Sequence, residues 1–234
     1  MTAFAFGHIK LSLYFCTDKK ERNNILQSTI MKKLMITLMV CLPLLASAQA
    51  NTWEMPDAAE TAQQGNPDAK YLEGAVPVVD GKVCFTTTIK APGKTASQIY
   101  DIVKNELTSM TKEKNQFENS RVAMDDPTQK IIGGTYQEWL VFKSTALVLD
   151  RTRLMYHLLA EYKDGEVTLR MTRINYLYEE ERTPETYKAE EWITDEYGLT
   201  KKKNKLARVS GKFRRKTIDR KDYIFKRFET LLTK

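Results

Sequence analysis

Apolar and polar residues change period several times along the chain, and each change predicts an element. VCFTTTIKA, residues 83–91, is β-branched and aromatic and reads as a first strand ended by Pro92-Gly93. Ile99, Ile102, Val103, Leu107 and Met110 then recur at helical spacing behind Thr95-x-x-Gln98, a capping-box pair. The spacing predicts an amphipathic helix from Thr95 to about Lys112. SRVAMDD and QKIIGGTYQEWLVF follow as extended runs around Asp126-Pro127-Thr128, a hairpin signal, with Gly133-Gly134 placed to permit a bulge or bend in the second. TALVLD and LMYHLLAEY continue the strand pattern. Lys163-Asp164-Gly165-Glu166 is a tight turn before VTLRMTRINYLY, where Val167, Leu169 and Met171 alternate with Thr168, Arg170 and Thr172. That alternation predicts a sheet with one dry and one partly wet face. A closing helix is expected from Thr217 as N-cap, with Ile218, Ile224, Phe225, Phe228, Leu231 and Leu232 inward and Arg220, Lys226 and Arg227 mostly elsewhere. The fold class is therefore α+β: an antiparallel meander packed by an N-terminal-side helix and a C-terminal helix.

The first seventy residues read differently. Met31-Lys32-Lys33, the apolar run LMITLMVCLPLL and Ala46-Ser47-Ala48 form the three parts of a secretory signal peptide over 31–48. Residues 1–30 read as an upstream extension, and residues 49–70, rich in Ala, Gln, Asn, Asp and Pro, as a mobile leader before one α+β domain over 71–234. The expected location is exported, periplasmic or secreted.

Cleavage after Ala48 would leave one cysteine, Cys84, and one histidine, His157. An internal disulfide and a Cys/His zinc site are then both excluded, and no cofactor or metal is called for. Cys84, in an apolar run, is expected to be a buried inert thiol, and His157 a sheet residue without a nucleophile beside it.

Charge is unevenly distributed. The whole chain carries +7, yet residues 49–200 hold 17 basic and 25 acidic side chains and residues 201–234 hold 14 basic and 3 acidic. Nine of those cations lie in 201–216 without one acid, and the block 179–196 just before it carries eight acids and two bases. Two readings follow. Either the blocks orient each other, or Lys212, Arg214, Arg215 and Lys216 contact an external anion.

The phrases TASQIYDIVKNEL, QKIIGGTY and LMYHLLAEYKDGEVTLRMTRINY resemble an uncharacterised exported domain of Bacteroidetes-type bacteria with a TATA-binding-protein-like fold, over about Val83 to Lys234. The resemblance implies an antiparallel sheet gripping a helix in an exported protein, and it carries no functional residues. Relative to it, Trp139 to Arg153 and Glu179 to Lys216 are longer.

No catalytic residue is identified. The leading expectation is a non-enzymatic binding or structural module of the envelope whose partner or small ligand is unknown, with strand tyrosines Tyr156, Tyr162, Tyr176 and Tyr178 placed to line a groove. A second is a hydrolase drawing two carboxylates from Asp125, Asp126, Glu138 and Asp150. The third is binding of a polyanion or anionic surface through 201–216. Nucleic acid is not an expected partner for an exported chain, and no span would cross a membrane after cleavage.

Overall fold

The computed structural model describes residues 66–234. The expected signal peptide, the upstream extension and most of the leader lie outside them. Among the described residues the strands are β1 (Val78–Val79), β2 (Lys82–Lys90), β3 (Arg121–Asp126), β4 (Ile131–Ser144), β5 (Leu149–Lys163), β6 (Glu166–Tyr178) and β7 (Glu185–Lys188). The helices are α1 (Ala96–Met110), between β2 and β3, and α2 (Ser210–Leu232) at the end. All strand pairs are antiparallel, in the order β1-β2-β6-β5-β4-β3. β6 is the hub: its first half pairs with β2 and its second half with β7 along the same edge.

Local chemistry sets the joints. Thr95 caps α1 with the expected capping box, accepting from the Gln98 amide while Gln98 Oε1 accepts from the Thr95 amide at 2.9 Å. Asp126 Oδ1 closes the β3–β4 turn by accepting from the amides of Thr128 and Gln129, both at 3.0 Å. Gly165, at φ +71°, makes the β5–β6 turn, and Asp164 beside it accepts from the Ala96 amide at 2.7 Å, fastening that turn to the start of α1.

The dry face is covered by both helices. Val167, Leu169, Met171, Ile174 and Tyr176 of β6 and Leu154, Tyr156, Leu158 and Ala160 of β5 pack there against Ile99, Val103, Leu107 and Met110 of α1 and Phe213, Ile224 and Phe228 of α2. The inward parity of β6 switches from odd to even because Arg173, at φ +53°, sits in a bulge against β5. Without that extra residue Ile174 and Tyr176 would face solvent.

Two expectations need correction. The bulge opposite Gly133-Gly134 is in β3, between Val122 and Met124, while the glycines pair regularly in β4. They are glycines because of space: a Cβ on Gly133 would stand 2.5 Å from Leu159 Cδ2, and one on Gly134 2.8 Å from the Tyr136 ring. The closing helix begins at Ser210 rather than Thr217. Thr217 lies inside α2, fully buried, with its hydroxyl 2.7 Å from that of Tyr176. Residues 210–216 are helical because Phe213 and Arg214 both find partners in the interior, which a reading of charge density misses.

Candidate functional site

A charge network joins the two helices to the sheet. Glu138 occupies an inward position of β4, between Tyr136 and Leu140, and is fully buried. Arg220 of α2, also fully buried, meets it with two bonds, Nε to Oε1 and Nη2 to Oε2, each 2.8 Å, and reaches Glu113 Oε2 at 2.8 Å. Asn115 and Gln116, just after α1, donate to Glu138 Oε2 at 3.1 and 3.0 Å. Arg227 pairs with Glu106 and Glu113. Burial opposes the charge of Arg220, but Glu138, Tyr156 and Glu113 outweigh it and hold the guanidinium pKa above its ordinary value. Burial likewise raises the Glu106 carboxyl, against the pull of Arg227. The cluster is closed to solvent at its centre, so it serves as a joint between α1, α2 and β4. The sequence pattern placed Arg220 mostly off the apolar face and offered Glu138 only as one of four candidate hydrolase carboxylates. The signal was available: Phe213, Thr217, Arg220, Ile224 and Phe228 share one helical stripe, and Glu138 shares the inward parity of β4.

Three of the four cations singled out from the sequence, Lys212, Arg214 and Arg215, have separate partners within the fold. Lys212 donates to Asp150 at 2.7 Å and to the Tyr178 hydroxyl at 3.0 Å. Arg214 is fully buried and donates to the carbonyls of Tyr71, Leu72 and Ile193 and to Asp195 at 2.7 Å. Burial lowers its pKa against Asp195, yet a guanidinium keeps its proton in a protein. Arg215 pairs with Asp68, and Lys216 is half-buried and also engaged. These contacts, with Lys70 and the Tyr71 hydroxyl on Asp219, dock residues 68–72 onto α2. The acidic block supplies only Asp195 among the ion pairs shown for 201–216. Its Glu180 and Glu181 pair instead with Arg153 and Arg151, and Glu190 accepts from the Val83 amide.

The proposed tyrosine groove is not formed. Tyr156, Tyr162 and Tyr176 are buried on the helix-covered face, Tyr136 stacks on Tyr156 at 5.3 Å, and Tyr178 is held by Asp150 and Lys212. Nor do the four carboxylates pair. Asp125 accepts from Tyr100 and Lys104, Asp126 closes its turn, Asp150 holds Lys212, and Glu138 is in the joint. Cys84 and His157 are half-buried on the wet face, so the expected buried thiol is displaced to a partly open site.

Among the described residues no helix lies over that wet face. Cys84, Thr172, His157, Thr135 and Arg121 align in one row across five strands, and Thr86, Arg170, Leu159, Gly133 and Met124 in the next. Toward β7 the face changes character. Arg151 lies over the Trp139 ring at 3.7 Å and Arg153 over Phe117 at 3.9 Å, with Met155, Gln137 and Leu177 half-buried between. Elsewhere, a cavity of about 730 Å³ opens between the β1–β2 turn and the 190–203 segment, lined by Val78, Glu190, Asp195 and Lys203 among others. Among the described residues no cluster of three metal-ligating side chains forms, and no helix is long and apolar enough to cross a membrane.

A strand–helix–meander–helix order with both helices on one face defines a TBP-like α+β domain, and a TBP-like protein from Parabacteroides distasonis shares that fold at 17% identity, TM-score 0.52, over 67% of this chain and 96% of that one. Residues 85–177 match the family described as a domain of unknown function (DUF4468) with TBP-like fold. A crystallised DUF4468 family protein from Bacteroides ovatus is 40% identical, with TM-score 0.67, over 72% of this chain and 96% of its own. The chain belongs to the DUF4468 family. No curated protein matches it. The B. ovatus chain, matched over 96% of its own length, is a crystallised folded protein of about the size of residues 66–234.

Proposed function

We propose that this protein is an exported, non-enzymatic binding module that engages its ligand or partner through the wet face of the sheet. The observation that carries the reading is the division of labour between the faces. The side bearing the helices is packed, while the other presents threonines, Arg170, His157 and the Arg–Trp cluster at half exposure with no element over them among the described residues. A broad, rigid, mixed surface of this kind suits recognition. A hydrolase has less support, since each candidate carboxylate is engaged separately. The same holds for a polyanion site at 201–216, where Arg214 is inaccessible and Lys212 and Arg215 would have to leave existing partners. Export rests on the 31–48 pattern alone.

The test is native mass spectrometry of the protein recovered from its host, beside Thr86→Arg and Met155→Arg variants. A bound mass that both substitutions remove, with folding intact, is expected. Protein that is empty in every preparation, or a bound mass indifferent to both, would sink the reading, and the Asp150→Asn variant assayed on envelope glycans and peptides reads out the hydrolase.

A further inference from the structure

The β4–β5 hairpin outruns the sheet. β6 begins to pair with β5 only at Thr152, and β3 leaves β4 at Thr135, so residues 143–150 pair with each other alone. The tip is apolar. Residues 143–149 are all exposed, Leu147 at 96%, Leu149 at 56% and Val148 at 46%, and no charge falls between Ser144 and Leu149. Single exposed apolar residues are ordinary, but three in succession at a projecting end are not.

The finger is well built. The Thr145 amide donates to the Val148 carbonyl at 2.8 Å, and the Val148 amide to Thr145 Oγ1 at 3.1 Å, so two of the tip's backbone donors are already satisfied without water. At its base Phe142 packs against Phe213 at 4.6 Å, and Lys212 ties Asp150 to Tyr178 while lying over the Phe142 ring at 4.6 Å. Of the charges flanking the tip, Asp150 pairs with Lys212 and Arg151 with Glu181, whereas Lys143 has no ion pair among the described residues. The hairpin therefore ends in an apolar point with one uncompensated cation behind it.

From this geometry we infer that the hairpin tip is a lipid-contact element, placing Leu147, Val148 and Leu149 among the acyl chains of an anionic bilayer with Lys143 at the headgroups. A convex apolar point needs a soft apolar medium or a concave apolar partner. The cavity of about 730 Å³ offers Val76 and Val78, but half of its lining, Glu190, Asp195, Glu196, Lys201 and Lys203, is charged and would be desolvated by an inserted leucine, so a second copy is a poor receptor there. A bilayer needs no shape match, and the cation adds attraction to acidic lipid.

Residues 66–234, about the length of the crystallised B. ovatus relative, are floated with vesicles of phosphatidylcholine alone or of equal parts phosphatidylcholine and phosphatidylglycerol. Binding to the anionic vesicles is expected. Leu147→Asp and Leu149→Asp should each weaken it about tenfold, because an aspartate replaces buried methylenes, and Lys143→Ala should weaken it only on the anionic vesicles. A tryptophan introduced as Val148→Trp should shift its emission to the blue on binding. All positions are exposed, so unchanged urea midpoints verify folding. Wild-type protein that ignores both vesicles, aspartate variants that bind as well as wild type, or an unshifted Val148→Trp emission would overturn the inference. Self-association abolished by Leu147→Asp without lipid binding would overturn it too, in favour of a second copy.

Discussion

Replacing Arg220 by methionine tests whether the buried network is a joint. The substitution keeps a long flexible side chain on the inward stripe of α2 but removes the cation that bonds Glu138 on both oxygens. Glu138 is then left fully buried with Asn115 and Gln116 as donors, and Glu113 loses one of its two cations. At an effective dielectric of ~20 a contact ion pair contributes roughly 4 kcal/mol of attraction, most of it offset by desolvation. Removing one partner leaves the desolvation cost without the attraction, about 3–5 kcal/mol. With a urea m-value of roughly 2 kcal/mol/M, the unfolding midpoint of residues 66–234 should fall by about 1.5–2.5 M. Glu138→Gln should cost less, because Arg220 retains Glu113 and the amide oxygen still accepts. The sharper expectation concerns the double variant. Arg220→Met with Glu138→Gln should be more stable than Arg220→Met alone, since no buried charge is then stranded. Additive losses, or a midpoint for Arg220→Met within about 0.5 M of wild type, would refute the argument.

Three further outcomes are expected. Gly133→Ala should destabilise by about 1–3 kcal/mol in urea melts, because its Cβ would meet Leu159 Cδ2 at 2.5 Å and the Leu158 carbonyl at 2.8 Å; a neutral result would mean that β4 and β5 separate freely there. Glu106 titrates above its ordinary 4.5 in the folded protein, so its contribution is fully present below 4.5 and is lost as pH rises through the raised value. Glu106→Gln should accordingly gain stability relative to wild type between a pH below 4.5 and neutrality, and a difference of opposite sign would show that Arg227, not burial, governs the carboxyl. Arg214→Met should strip hydrogen-exchange protection from residues 68–76 and 193–198 while sparing β5, because Arg214 ties Tyr71, Leu72, Ile193 and Asp195 together and leaves the Gly74–Asp195 bond unsupported when removed; unchanged exchange in both segments would remove it as their clasp.

Much of the frame was written in local patterns. Capping at Thr95, turns at Asp126 and Gly165, and alternation in β5 and β6 depend on neighbours within a few residues, which is why they could be read directly. Even the β6 bulge has a trace, in the two polar residues Thr172 and Arg173 between inward Met171 and Ile174. The start of α2 was missed for a different reason. Arg214 and Arg220 are interior residues only because Asp195, Glu138, Glu113 and backbone carbonyls from distant segments converge on them. A charged side chain's place depends on where its counter-charges end up, and sequence separation hides that.

Short-range chemistry thus determined the element order, the α+β class and the dry face of the sheet, since turn geometry and hydrophobic period act over a few residues. Tertiary structure alone decided the rest: which acids meet which bases, that the tyrosines pack rather than line a groove, that Lys212, Arg214 and Arg215 pair within the fold, and that among the described residues a hairpin tip and a sheet face are left uncovered. Those outcomes follow from pairings between residues as far apart as Tyr71 and Arg214 or Glu138 and Arg220, whose energies exist only once the chain has closed on itself.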